Sequence, residues 1–236
     1  MAKTTDKDPQ IRPGAAGEVY RAQGVQKAGE SGEAQGAAPE ARRAELSRET
    51  AETKVWLKLN LDGSGQAKID SGCGFLNHML ELFTRHGRFD LELTCRGDVE
   101  VDDHHSVEDI AIALGKAFAQ ALGDCRGISR YGSFLLPMDE ALVLTALDIS
   151  GRCHLSFELE IPAQKVGSFD TELVQEFMIA FCRHLGLTLH LRQLAGANSH
   201  HIIEAAYKGL GRALAAAVRI DRRFSGEIPS TKGTIL

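Results

Sequence analysis

The sequence predicts an α+β fold built twice over, each half a small β-sheet backed by two helices. Three observations carry that expectation. Segments with apolar residues at every second position alternate with segments at helical spacing. The order of segments over residues 48–129 recurs over residues 130–236. Short strings of residues also match between the halves at an offset of 98 and then 96.

The elements follow in order. Residues 1–47 read as a disordered tail, because Gly14 to Ala44 carries almost no large apolar side chains and cannot offset its ordering entropy. Order is expected from near Arg48. Val55, Leu57, Leu59 and Leu61 alternate as in a half-buried strand, and Asp62-Gly63-Ser64-Gly65 turns the chain into a second short strand over 66–70. Phe75, Met79, Leu80, Leu82 and Phe83 follow helical spacing up to Gly87. Phe89, Leu91 and Leu93 read as a strand, and an Ala-rich, proline-free helix spans 104–122. The second half runs strands at 131–138, 140–149 and 153–160, a helix at 171–184, a strand at 187–191 and a helix at 199–219.

The matching strings are specific. Phe83-Thr84-Arg85-His86 corresponds to Phe181-Cys182-Arg183-His184, and Leu91-Glu92-Leu93 to Leu189-His190-Leu191. After a two-residue shortening, His104-His105-Ser106-Val107-Glu108 matches His200-His201-Ile202-Ile203-Glu204, and Leu114-Gly115-Lys116-Ala117 matches Leu210-Gly211-Arg212-Ala213. An ordered set of this kind indicates an internal duplication.

Composition excludes several classes of function. The formal net charge is −5 with no Lys/Arg run, which argues against nucleic acid as a partner. No apolar stretch approaches the ~20 residues of a membrane span, and no signal-peptide core is present. Five scattered cysteines (Cys73, Cys95, Cys125, Cys153, Cys182) make neither a C-x-x-C pair nor a disulfide framework. A soluble, cytoplasmic protein is expected, and its unusual asset is nine histidines.

H-H-x-x-E opens a long helix in each half. Residues four apart differ by about 40° around a helix, so His104 with Glu108, and His200 with Glu204, can grip one cation. His105 and His201 lie about 100° round from their neighbours and should serve different ions. His78 and His190 can complete two equivalent centres. Imidazole and carboxylate without thiolate suit a borderline divalent ion, and octahedral sites with positions left for substrate favour Mn²⁺ over Zn²⁺. His86 and His184 end helices, where cations suit the macrodipole, and read as structural. His154 has no evident role. Arg130, Arg152, Lys208 and the Ser230-Thr231-Lys232 segment offer cations and hydroxyls for an anionic substrate. A dinuclear hydrolase ranks lower, since each repeat offers only one ligating carboxylate. A metal-storage protein would leave the arginines and the Ser-Thr-Lys segment unexplained.

Longer motifs run through residues 48–235 in order. They are Arg48-Glu49-Thr50-Ala51-Glu52-Thr53, Leu61-Asp62-Gly63-Ser64-Gly65, Gly74-Phe75-Leu76-Asn77-His78-Met79-Leu80, and Asp102-Asp103-His104-His105-Ser106-Val107-Glu108-Asp109. Pro137-Met138-Asp139-Glu140-Ala141-Leu142, Ser150-Gly151-Arg152, Gly196-Ala197-Asn198-Ser199-His200-His201-Ile202-Ile203-Glu204-Ala205 and Pro229-Ser230-Thr231-Lys232-Gly233 complete the set. With these the chain resembles the imidazoleglycerol-phosphate dehydratases, hydro-lyases of histidine biosynthesis. The resemblance implies two Mn²⁺ ions per active site, built between subunits of a homo-oligomeric 24-mer. It implies one ion held by His104, Glu108, His190 and His201, and the other by His78, His105, His200 and Glu204. Glu52 is implied as a substrate-contacting acid, and Arg130, Arg152, Lys208, Ser230 and Lys232 as substrate or phosphate contacts. The implied reaction dehydrates D-erythro-imidazoleglycerol phosphate to imidazole-acetol phosphate through a metal-bound imidazolate, with Glu204 or Glu52 transferring the proton. Asn77 stands where the family commonly has Asp, and Cys153 where it has Pro.

Overall fold

The computed structural model describes residues 42–235. Of the tail expected over 1–47, residues 1–41 lie outside the described residues, whereas Arg43–Glu49 form strand β1, so order begins five residues earlier than residue 48. β1 has few large apolar side chains of its own. It is ordered by pairing along its whole length with β2 (Thr53–Asn60), from Arg43 opposite Asn60 to Glu49 opposite Lys54.

The first half continues with β3 (Ala67–Asp70), α1 (Gly74–Gly87), β4 (Asp90–Gly97) and α2 (His104–Leu122). Its sheet has the order β1-β2-β4-β3, with β3 parallel to β4 and the other pairs antiparallel. The second half holds β5 (Tyr131–Met138), β6 (Ala141–Ile149) and β7 (His154–Glu158), then a short hairpin of β8 (Lys165–Val166) and β9 (Phe169–Asp170). It ends with α3 (Leu173–Leu185), β10 (Leu187–Ala195) and α4 (Ser199–Ala217). The order β5-β6-β10-β7 repeats the first sheet strand for strand, with the same directions. The duplicated α+β fold is therefore as the repeat predicts; the hairpin β8–β9 belongs to the second half alone.

The helices lie between the two sheets: α1 and α2 cover the first, α3 and α4 the second. Val55, Leu57 and Leu59 of β2, with Leu187, Leu189 and Leu191 of β10, point inward to one continuous core. Phe83 of α1, Phe118 of α2 and Phe181 of α3 meet there with ring centroids 5.6–6.4 Å apart. The helices pair across the duplication, α1 on α4 and α2 on α3. Each pair closes on a glycine at the same repeat position. A Cβ on Gly115 would stand 2.9 Å from the Phe181 carbonyl oxygen, and one on Gly211 would stand 2.4 Å from that of Phe83. Only a bare Cα permits that approach. No helix among the described residues is long and apolar enough to cross a membrane.

Candidate active site

Asn198 starts the site. Its side-chain oxygen accepts from the backbone N–H of His200 (2.9 Å) and of His201 (3.4 Å), capping α4 so that both imidazoles leave its first turn. Because α1 lies alongside, His78 reaches the same place. His78, His200 and Glu204 present ligand atoms that all lie within 4.8 Å of one another. His200 Nε2 is 3.1 Å and His78 Nε2 3.6 Å from Glu204 Oε2. Lys208, one turn on, grips the other oxygen, Oε1. Burial alone would raise the Glu204 pKa, but the Lys208 bond and charge, with help from His200, hold it below the ordinary value. The group is thus a buried carboxylate anion beside two imidazoles, a donor set that fits a borderline divalent ion.

The second histidine of each H-H pair turns away, as the helical angle requires. The ring centroids of His104 and His105 are 6.3 Å apart at 77°, and those of His200 and His201 6.2 Å apart at 79°. Each diverging ring meets a carboxylate through Nδ1. His105 Nδ1 lies 3.0 Å from Asp98 Oδ2, and His201 Nδ1 lies 2.7 Å from Glu140 Oε2. Glu140 is held at about 2 by the His201 bond first, and by the Asn198 and Ala197 N–H groups it also accepts from. The same contacts raise the pKa of His105 and of His201, through Asp98 and Glu140 respectively. A ring that donates Nδ1–H to a carboxylate has its Nε2 aimed and made more basic for an ion. Asp98 and Glu140 escape a reading of the sequence as site residues. Asp98 lies in a loop with no motif of its own, and Glu140, although inside a motif, reaches His201 only through space.

Glu52 sits on the turn between β1 and β2, exposed, with Oε2 3.8 Å from His105 Nε2. A buried network holds that turn. Arg48 Nε and Nη2 both donate to Asp109 Oδ1 at 3.0 and 2.8 Å. The Thr50 and Thr53 hydroxyls donate to Asp109 Oδ2, and Thr50 Oγ1 accepts from the N–H of Glu52 (3.2 Å) and of Thr53 (3.0 Å). The Arg-Glu-Thr-Ala-Glu-Thr motif is therefore a clamp on α2 that carries Glu52 to His105.

The remaining ligands expected from the sequence do not close within one chain. His104, Glu108 and His190 join no cluster of three ligands among the described residues. His190 lies between Leu189 and Leu191, which face the core, so it projects from the outer face of the second sheet. There its ring stands 5.5 Å from that of His154, the histidine without an evident role. His86 does not behave as a helix-end cation, because burial, then Lys208 and Arg212, push its pKa down. Asn77 Oδ1 accepts from the Ser71 N–H (2.8 Å) and hydroxyl (2.6 Å), so it fixes the loop into α1. All five cysteines are free thiols, and none joins the cluster.

Among the expected substrate contacts, Arg130 is already engaged. It donates to both Asp148 oxygens (2.7 and 3.1 Å) and to the Pro229 carbonyl (2.8 Å), tying the C-terminal segment with Ser230 and Lys232 to the start of β5. Arg152 is exposed, with Nη1 3.3 Å from the Ser150 carbonyl. Lys208 belongs to the Glu204 cluster.

Comparison with known proteins identifies the family. The family model described as imidazoleglycerol-phosphate dehydratase matches residues 71–214. A protein of that name from a Synechococcus strain is 57% identical over 194 residues, covering 82% of this chain and 96% of the relative. One from Azorhizobium caulinodans is also 57% identical over 194 residues, covering 82% and 98%. The solved imidazoleglycerol-phosphate dehydratase of Staphylococcus aureus superposes with a TM-score of 0.70 at 39% identity, covering 76% of this chain and 99% of that one. That of Pyrococcus furiosus gives 0.70 at 34%, covering 80% and 99%. The repeated fold, the clustered imidazoles and these matches converge: the chain belongs to the imidazoleglycerol-phosphate dehydratase family and is an enzyme of the hydro-lyase class.

Proposed function

We propose that the chain dehydrates D-erythro-imidazoleglycerol phosphate to imidazole-acetol phosphate in histidine biosynthesis, as a cytoplasmic, Mn²⁺-dependent homo-oligomer. The observation that carries this reading is the cluster of His78, His200 and Glu204 between α1 and α4. His105 of a neighbouring copy would complete it, and His104, Glu108, His190 and His201 would hold a second ion. His190 supports sites shared between copies, because it faces away from the helices that bear the other ligands. Assembly as a 24-mer rests on the family resemblance.

Bound divalent ions would supply Lewis acidity, favouring loss of the substrate's imidazole proton and departure of the adjacent hydroxyl. The chain's own residues do the rest. Glu204 has one oxygen against Lys208 and the other against His200 and His78, which suits a fixed ligand better than a proton carrier. Glu52 is exposed on a clamped turn beside His105, free to take the proton from the neighbouring carbon. The enol so formed tautomerises to the ketone. Ser230 and Lys232, on the segment tied down by Arg130, with Arg152, would hold the phosphate.

Steady-state turnover of imidazoleglycerol phosphate with Mn²⁺ tests the reading. Activity abolished by chelator and restored by Mn²⁺ is expected; no turnover with metal bound overturns it. Glu52→Gln should abolish turnover while metal content stays unchanged, and Glu204→Gln should lose both. Full turnover by Glu52→Gln would move the proton transfer elsewhere.

A further inference from the structure

α1 and α4 run side by side in the same direction, with the imidazole cluster at their N-terminal halves. Their C-terminal ends open on a different feature. A concavity of about 700 Å³ lies there, lined by Arg42, Arg88, Arg126, Arg219 and Arg222, with Asp62 as the one carboxylate among the described residues that line it. Asp62 is consumed by Arg42, which donates to both its oxygens, and Arg126 pairs with Asp124 outside the concavity. No ion-pair partner among the described residues is assigned to Arg88, Arg219 or Arg222, all three exposed. Among the described residues Arg219 has only the nearby Asp221, whose carboxylate Arg223 already binds. The hollow therefore carries a local excess of positive charge in a chain of net charge −5, a field that draws in anions. Arg88 adds a second observation. It occupies the left-handed cap of α1 at φ 58°, a conformation that favours glycine or asparagine, so a cation is held there against backbone preference.

We propose that this concavity is a binding site for an oligophosphate group, distinct from the dehydratase site. Guanidinium forks match phosphate oxygens bidentately, and several around one hollow suit a di- or triphosphate better than a single phosphate. The site is remote from the chemistry. Ten residues of α1 separate His78 from Arg88, about 15 Å at 1.5 Å per residue. It is nevertheless connected to it. Arg219, Arg222 and Ser225 begin the C-terminal segment, which Gly127, Arg126 and Arg130 hold through Glu227, Gly226 and Pro229. An anion drawn in by Arg219 and Arg222 therefore acts on the strap that carries Ser230 and Lys232.

Calorimetric titration of the full-length chain with tripolyphosphate, pyrophosphate, inorganic phosphate and adenosine triphosphate at fixed ionic strength tests this. Tripolyphosphate is expected to bind more tightly than inorganic phosphate. Arg88→Glu and Arg222→Glu should each weaken it about tenfold, whereas Lys232→Ala should leave it unchanged. Equal affinity for adenosine triphosphate would assign recognition to the phosphate chain, and tighter binding would add its base to the same ligand. Turnover of Arg88→Glu without added anion should match that of the unaltered chain. Absence of binding at millimolar concentration overturns the proposal. So does affinity lost in Lys232→Ala and kept in both arginine variants, which would place the anion in the dehydratase site.

Discussion

The two halves share strand order, strand direction and the glycine on which each helix pair closes, yet among the described residues only one pair builds a ligand cluster. In α1 on α4, His78 faces His200 and Glu204. In α3 on α2, the offset of 98 puts Glu176 at the position of His78. The imidazole proposed for the second set, His190, sits on a strand where the first half has Glu92. One cluster is therefore assembled by the fold of a single chain, and the other, as proposed above, would need a second copy. Duplication supplied the scaffold twice, and the two halves differ in which histidines they place on it.

That contrast can be broken or sharpened, from the largest effect down. Glu204→Ala removes the carboxylate of the preassembled cluster, and Glu108→Ala that of the other. Each should lower turnover about 10³-fold. In subunits diluted apart, metal analysis should find no ion on Glu204→Ala and one on Glu108→Ala; equal loss would erase the distinction.

Next comes the buried Arg48–Asp109 pair. Its counterpart of Asp109 in the second half is Ala205, fully buried. Asp109→Asn should cost about 3 kcal/mol in urea unfolding, because it strands a buried guanidinium. It should also lower kcat more than it raises KM, since the turn that carries Glu52 loosens. The half with Ala205 needs no such pair because its equivalent turn is fixed by Glu140 itself.

Glu140→Gln and Asp98→Asn should each weaken metal binding about 10–100-fold with little change in stability. Calorimetric titration with Mn²⁺ checks both, and equal losses would show that the two halves aim their diverging histidines alike.

The smallest effect concerns Asp90. Burial would raise its pKa, but the N–H groups of Gln66, Ser64 and Gly65 and the Asn60 amide hold it below the ordinary value. A depressed carboxyl stabilises the fold above its unfolded value near pH 4 and loses that contribution as pH falls through the folded value. Asp90→Asn should cost about 1–2 kcal/mol at pH 7, and the difference should shrink as acid takes the carboxyl through its folded value. The second half has Thr188 there, bonded to Ser150, and its equivalent substitution should show no such pH dependence.

Much of this was legible in the sequence because it is periodic. The alternation Val55, Leu57, Leu59 and the i, i+4 spacing of His200 with Glu204 are local, and local patterns survive folding. What escaped is long-range. β1 is ordered by its partner strand, and Arg48 is buried by an aspartate 61 residues away, so neither shows in a hydrophobic pattern. Asp98 and Glu140 were hidden for the same reason. Arg130 shows the converse. Its type and its glycine-rich setting suggested a phosphate contact, and the structure gives it a carboxylate and a carbonyl to hold first.

The glycine-closed pairing of α1 with α4 also has a consequence for synthesis. α1 ends at Gly87, and α4 does not begin until Ser199. At about 5–20 residues per second, a ribosome leaves the apolar flank of α1 without its partner for roughly 5–20 s. Neither half can close early, because each helix pair draws one member from each half. The nascent first repeat is thus an open sandwich awaiting its lid, and its protection by chaperones should matter more to yield than any single contact in the finished core.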